Sequence, residues 1–180
     1  YLGPDLPSIA GEKAGIIRPG RPVVCADMEA EALDVFRRVA RERRSLLIEA
    51  SQTVHVRASA VSLKGQKVAV ESDSGFSGTL QFPLLGRHQL GNLATVLAAL
   101  DVFTGAAGIA MSGEAVRKGI AAVRWPGRFE VLHEDPPVIL DGAHNPGGAA
   151  VLAETLAQVL KKKPVGLVFG MCNDKDIRGY

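Results

Sequence analysis

Apolar positions between residues 22 and 48 are spaced in two ways, and the alternation between them predicts the local fold. Pro22-Val23-Val24-Cys25-Ala26 and Leu46-Leu47-Ile48 are short unbroken apolar runs, as expected of strands buried on both faces. From about Glu29 to Arg44 the period becomes helical, with Ala32, Leu33, Phe36, Val39 and Ala40 on one stripe and the arginines opposite. This strand–helix–strand order points to a sheet covered by helices. Upstream, Leu6 to Ala14 predicts a short helix opened by Asp5 and Pro7 and closed by Gly15, which suits the left-handed position after a helix end.

The period shortens to two from Thr53 to Pro83. His55, Arg57 and Ser59 alternate with Val54, Val56, Ala58 and Ala60, and Val68 and Val70 alternate with Lys67, Ala69 and Glu71. Antiparallel hairpins follow, with Lys64-Gly65-Gln66 as one turn and His55 on the solvent side. Helices are expected from about Leu90 to Phe103 and, capped by Ser112, from about Gly113 to Val123. Beyond Pro126 the predicted order is strand 138–141, helix 147–162 and strand 165–169, a right-handed βαβ unit. Pro126-Gly127 and Glu134-Asp135-Pro136-Pro137 interrupt the pattern, so the domain boundary is set between residues 124 and 125.

Composition narrows the function classes. The 21 basic and 19 acidic residues leave a net charge of +2 with no extended basic face, which disfavours nucleic acid as a partner. No uninterrupted apolar run reaches the length of a bilayer span, and no leader peptide is evident. Cys25 and Cys172 are far apart in sequence and show no metal-ligand spacing, so a reducing cytoplasm is the expected compartment. The chain opens on Tyr1 and stops at Asp176-Ile177-Arg178-Gly179-Tyr180, where a new helix is predicted to start; it is expected to be a segment of a longer protein. The segment has no phosphate loop of the GxxxxGK-Ser/Thr type and is expected to be inactive alone.

The most concentrated chemistry is Asp141-Gly142-Ala143-His144-Asn145-Pro146-Gly147-Gly148, where Val138-Ile139-Leu140 gives way to a helix. In open α/β sheets ligands bind outside the carboxyl ends of strands, so an Asp, a His and an Asn at such a turn can grip a nucleotide or a sugar hydroxyl. Turn formation alone would also favour Asp141 and Asn145 there.

Four further segments accompany it in chain order: Leu2-Gly3-Pro4 with the run Ile9 to Gly20, which contains Glu12-Lys13-Ala14-Gly15-Ile16-Ile17; Gly86-Arg87-His88-Gln89 with Asn92; Trp125-Pro126-Gly127-Arg128-Phe129-Glu130; and Gly170 with Asp174-Lys175-Asp176. On these motifs the chain closely resembles folylpolyglutamate synthase/dihydrofolate synthase, a family of the Mur ligase superfamily of ATP-dependent amide ligases. The resemblance implies an α/β fold: residues 1–124 as the later half of a central ATPase domain, and residues 125–180 as the opening βαβ of a Rossmann-like C-terminal domain. It also implies a nucleotide clamped by domain closure.

The reaction implied joins a folate or dihydropteroate carboxylate to the amine of L-glutamate. ATP phosphorylates the carboxylate, and the amine then displaces phosphate from the acyl phosphate. Two magnesium ions and several cations would neutralise the transferring phosphoryl group. By resemblance, Lys13 is the lysine that carbon dioxide converts to a carbamate able to hold the second magnesium. Asn92 faces adenine, Arg128 contacts phosphate through its planar fork, Asp141 accepts from ribose hydroxyls, and His144 contacts ATP or glutamate. Asp174, Lys175 and Asp176 would rim the glutamate pocket.

Each residue also has a plainer explanation. Lys13 suits a helix C-terminus, Asn92 a helix start, and Arg128 an ion pair with Glu130, while His88 and Gln89 can simply shape their turn. Glu12, turned about 100 degrees from Lys13 on a helix, is expected to be structural. Two other functions stay open, a peptidoglycan amide ligase of the same superfamily and a nucleotide-binding protein without catalysis. A monomer acting on small molecules is expected.

Overall fold

The computed structural model describes residues 5–161, 163–170 and 172. In chain order the elements are α1 (Leu6–Ala14), β1 (Val23–Cys25), α2 (Ala30–Glu42), β2 (Leu47–Glu49), α3 (Ala50–Thr53), β3 (Val54–Ser62), β4 (Gly65–Ser72), β5 (Gly78–Phe82), α4 (Arg87–Ala107), α5 (Gly113–Ala121), β6 (Glu130–Glu134), β7 (Pro137–Leu140) and α6 (Pro146–Leu160). Two compact units account for them. The first gathers the described residues up to Val56 with Val70–Ser77 and Gly91–Met111; the second gathers Arg57–Ala69, Gly78–Leu90 and the described residues from Ser112 onward.

In the first unit β1 and β2 pair in parallel, with Val23, Val24 and Cys25 opposite Leu47, Ile48 and Glu49. The crossover between them is α2, whose apolar stripe packs with α1 around a core of Ala14, Ile17 and Ala40 joined by Val23, Val35, Phe36, Val39 and Leu47. Asp5 caps α1 by accepting from the Ser8 N–H at 2.8 Å, as its position before Leu6 and Pro7 suggested. Gly15 closes this helix in the right-handed region, at φ −53°, rather than the left-handed conformation expected of it. The chain continues through one more turn, in which the Ile17 N–H donates to Ala14 O at 3.0 Å, so no reversal is needed.

Helix α4 runs four residues past the predicted end and three before the predicted start. Its 21 residues, with a mean hydropathy of 1.5 over the most apolar window, are long and apolar enough to cross a membrane by length and composition alone. The sequence reading had found no run of that length; Gly91, Asn92, Thr95 and Asp101 interrupt it without lowering its mean hydropathy enough. Along one face the helix buries Leu93, Ala94, Leu97, Ala98 and Thr104, spaced by three, four and seven.

The sheet order β3–β4–β5 bears out the predicted hairpin region. Residues alternate cleanly along β4, where Gln66, Val68 and Val70 are buried and Lys67, Ala69 and Glu71 are exposed. His55 is exposed as expected. In the second unit α5, capped by Ser112 accepting from Ala115 N–H at 3.1 Å, packs on β5; Val116 and Ile120 are the buried residues of the helix, and Leu80 and Phe82 those of the strand.

The expected βαβ unit is not formed among the described residues. Helix α6 follows β7, but residues 163–170 carry no strand, and Val165, Leu167, Val168 and Phe169 are exposed. A strand is held by the neighbour it pairs with, and β7 pairs antiparallel with β6, an element the sequence reading missed. Asp174, Lys175 and Asp176 lie outside the described residues.

Replacing Ile17 by Ala would leave a void in the core of the first unit. The expected cost is about 2–5 kcal/mol in chemical denaturation.

Candidate functional site

Three short connections of the second unit converge on one cavity of about 380 Å³, lined by His88, Arg128, Phe129, Asp141, His144 and the start of α6, among others. The first connection follows β7. Asp141 is the residue after the strand, and its Oδ1 accepts from the Ala143 N–H at 2.8 Å, folding the chain into an aspartate-headed turn. Asn145 then caps α6, its Oδ1 accepting from Gly148 N–H at 2.7 Å, with Pro146 as the first helical residue.

The second connection, residues 125–129, is tied to the first at two points. Asp141 Oδ2 accepts from Phe129 N–H at 2.8 Å, and Gly142 N–H donates to Gly127 O at 2.9 Å. Phe129 is buried at φ +46°, a left-handed conformation that a bulky side chain rarely adopts, and Asp141 secures it there. Both carboxylate oxygens of Asp141 thus carry backbone bonds. Each oxygen retains capacity to accept another donor.

Arg128 sits on the rim. Its guanidinium lies 5.8 Å from the centroid of the Trp125 ring, and its Nη1 donates to Gly127 O at 3.3 Å. The ion pair with Glu130 is not made, because Glu130 Oε2 accepts instead from Gly127 N–H at 2.8 Å. A Cβ on Gly142 would stand 2.5 Å from Arg128 Nη1, so the absence of a side chain there leaves the guanidinium its place. His144 is exposed, and its Nδ1 lies 2.9 Å from Gly142 O. Since a carbonyl can only accept, Nδ1 carries the proton and Nε2 is left as the acceptor of the neutral ring.

The third connection precedes α4. Gly86, at φ +105°, turns the chain so that His88 also faces this cavity, a placement the sequence reading did not make. Partial withdrawal from water lowers the His88 pKa below that of an ordinary histidine, against the opposing pull of the Asp141 and Glu154 charges. The sequence signal was available: a glycine two residues before a histidine marks a backbone approach that other residues resist.

Lys13 belongs to the first unit. It is exposed in the last turn of α1 and lines a cavity of about 500 Å³ with Glu12, Ile16, Val23, Val24, Cys25, Met28 and Phe36. Glu12, expected to be turned away, borders the same space. Asn92, also in the first unit, is exposed in the first turns of α4. Among the described residues no three His, Cys, Asp or Glu side chains gather as metal ligands.

Arg128, Asp141 and His144 thus border one cavity at a strand-to-helix turn. Residues 127–179 match the family described as Mur ligase, glutamate ligase domain. Dihydrofolate synthase/folylpolyglutamate synthase of Bacillus subtilis (strain 168) is 36% identical over 175 residues, covering 97% of this chain and 40% of the relative. The folylpolyglutamate synthase of Thermotoga maritima superposes with a TM-score of 0.82 at 32% identity, over 97% of this chain and 41% of that one. A solved FPGS–AMPPCP–folate complex gives a TM-score of 0.83 at 30% identity, over 92% of this chain and 40% of the other. The chain is thus similar along nearly all its length to folylpolyglutamate synthases and dihydrofolate synthases, and it spans about two-fifths of the length of these relatives.

Replacing Gly142 by Ala should displace the flexible Arg128 head while sparing the fold. Binding of a polyphosphate to the intact enzyme is expected to weaken several-fold, with the melting temperature almost unchanged. Replacing Asp141 by Ala strands two backbone N–H groups and should cost about 1–3 kcal/mol in denaturation of the same protein.

Proposed function

We propose that this chain is part of an ATP-dependent amide ligase that adds L-glutamate to a folate or dihydropteroate carboxylate through an acyl phosphate. The observation that carries this reading is similarity to folylpolyglutamate and dihydrofolate synthases along 97% of the chain, with the Arg128–Asp141–His144 cavity inside the matched region. A relative of this fold has been solved with AMPPCP and folate. In this reading residues 1–124 belong to the central ATPase domain and residues 125–180 open the C-terminal ligase domain. The enzyme works as a cytoplasmic monomer.

The roles follow from chemistry. Arg128 supplies a fixed cation with two parallel donors for phosphate oxygens. Asp141 offers its remaining lone pairs to ribose hydroxyls while holding the turn, and His144, its Nδ1 engaged by Gly142 O, turns Nε2 to ATP or to glutamate. Asn92 reads the adenine edge. Asp174 and Lys175 would supply the carboxylate and the amine that recognition of glutamate calls for.

Magnesium fits Lys13 only if the amine becomes a carbamate, because an ammonium cannot ligate. With Glu12 at the same cavity, that carbamate would give an all-oxygen donor set of the kind magnesium prefers, two ions in all being required by the reading. When bound, magnesium withdraws charge from the phosphoryl group. Within this chain, Lys13 holds the anion that keeps it there.

The test is incorporation of radiolabelled glutamate by the intact enzyme, comparing dihydropteroate with tetrahydrofolate. Turnover on either acceptor supports the reading, whereas transfer of an amino acid to a peptidoglycan precursor, or no transfer at all, refutes it. Replacing Lys13 by Ala is expected to abolish turnover with the fold retained, and near-normal activity would remove its metal role.

A further inference from the structure

His88 is held in its cavity by more than its place in the chain. A Cβ on Gly86 would come 2.6 Å from His88 Cε1, 2.8 Å from His88 Nδ1 and 2.9 Å from Thr155 Oγ1. The imidazole therefore lies against bare backbone at a position where φ is +105°, beside a buried threonine of α6 whose hydroxyl donates to Val151 O at 2.8 Å. The rest of the side chain is exposed where it lines the cavity.

The surroundings favour an anion opposite that ring. Arg128 contributes a cation unpaired by any carboxylate among the described residues, and α6 points its first turn, including Gly147, into the same space. The Asp141 carboxylate, the nearest negative charge, already accepts from Phe129 and Ala143. His144 bonds Gly142 O through Nδ1 and presents only an acceptor when neutral, so it does not meet an anionic oxygen as a donor unless it is protonated. A donor is wanted, and His88 is the side chain placed to supply one.

We propose that His88 is a ligand-binding residue of this cavity, donating a hydrogen bond to an anionic oxygen of the bound molecule. This rests on the reading of the cavity as a place for ATP phosphate or the glutamate carboxylate; the shared chemistry is the anionic oxygen. Partial desolvation opposes the protonated ring, while Asp141 and Glu154 favour it, as the ligand would. Desolvation prevails in the free protein, so the ring is neutral near pH 7. An arriving anion joins the side of Asp141 and Glu154 and draws a proton from solvent onto the ring. Affinity therefore rises as pH falls through the bound-state pKa and levels off below that of the free state.

The experiment is calorimetric titration of the intact ligase with AMPPCP and, separately, with L-glutamate, between about pH 8 and pH 6, in two buffers of different ionisation enthalpy. One ligand should bind with proton uptake and gain affinity several-fold toward low pH. His88→Ala should weaken that ligand about tenfold and remove the uptake, and His88→Gln should restore part of the affinity but not the uptake. Circular dichroism of each variant checks the fold.

Wild-type affinity for both ligands in His88→Ala overturns the proposal, as does proton uptake that persists in His88→Gln, which would assign it to His144. Arg128→Ala separates the two levels of inference. If it loses AMPPCP while His88→Ala binds normally, only the role of His88 falls; if both bind normally, the reading of the cavity falls with it.

Discussion

The candidate site depends on a single carboxylate. Asp141 bonds forward to Ala143 and across to Phe129, so one side chain fixes both the turn before α6 and the loop that carries Arg128. Neither segment has regular structure of its own, and a buried phenylalanine at positive φ would otherwise relax toward the β region. The backbone bond from Gly142 to Gly127 repeats the link one residue on from Asp141 and two back from Phe129. With cation, carboxylate and imidazoles held on short connections between rigid elements, little ordering is left for a ligand to impose.

Charge in this cavity is arranged so that the negative group is already satisfied and the positive one is not. Asp141 spends its strongest acceptor directions on backbone amides, while Arg128 rests on the Trp125 ring and a carbonyl. Glu130, the alternative partner for Arg128, is turned to Gly127 N–H. Such an arrangement suits a ligand richer in oxygen anions than in hydrogen-bond donors.

Much of this fold was legible in the sequence because local periodicity and tertiary packing agree. The stripe Ala32, Leu33, Phe36, Val39 and Ala40 is the face that α2 buries, and the two-residue alternation around Val68 and Val70 is the face of β4. The aspartate and asparagine after Leu140 announced the turn that they build. What escaped notice depends on distant partners. Strand β6 is only five residues long and reads as loop until Pro137–Leu140 is beside it. The seat of His88 needs Thr155, 67 positions away in the chain, and no window of sequence shows that pair. Helix α4 extends beyond the predicted span of Leu90 to Phe103 at both ends, into polar and small residues whose helical state no local apolar period marks.

One open edge has a practical consequence. Among the described residues strand β7 is paired on a single side, and Val138 and Leu140 are half exposed; Val165, Leu167 and Val168 are exposed in a stretch that forms no strand and carries no charge. Such stretches pair with any complementary backbone, including their own in another molecule. A polypeptide of these 180 residues made in isolation will need dilution, or a capping strand supplied in trans, to stay dispersed.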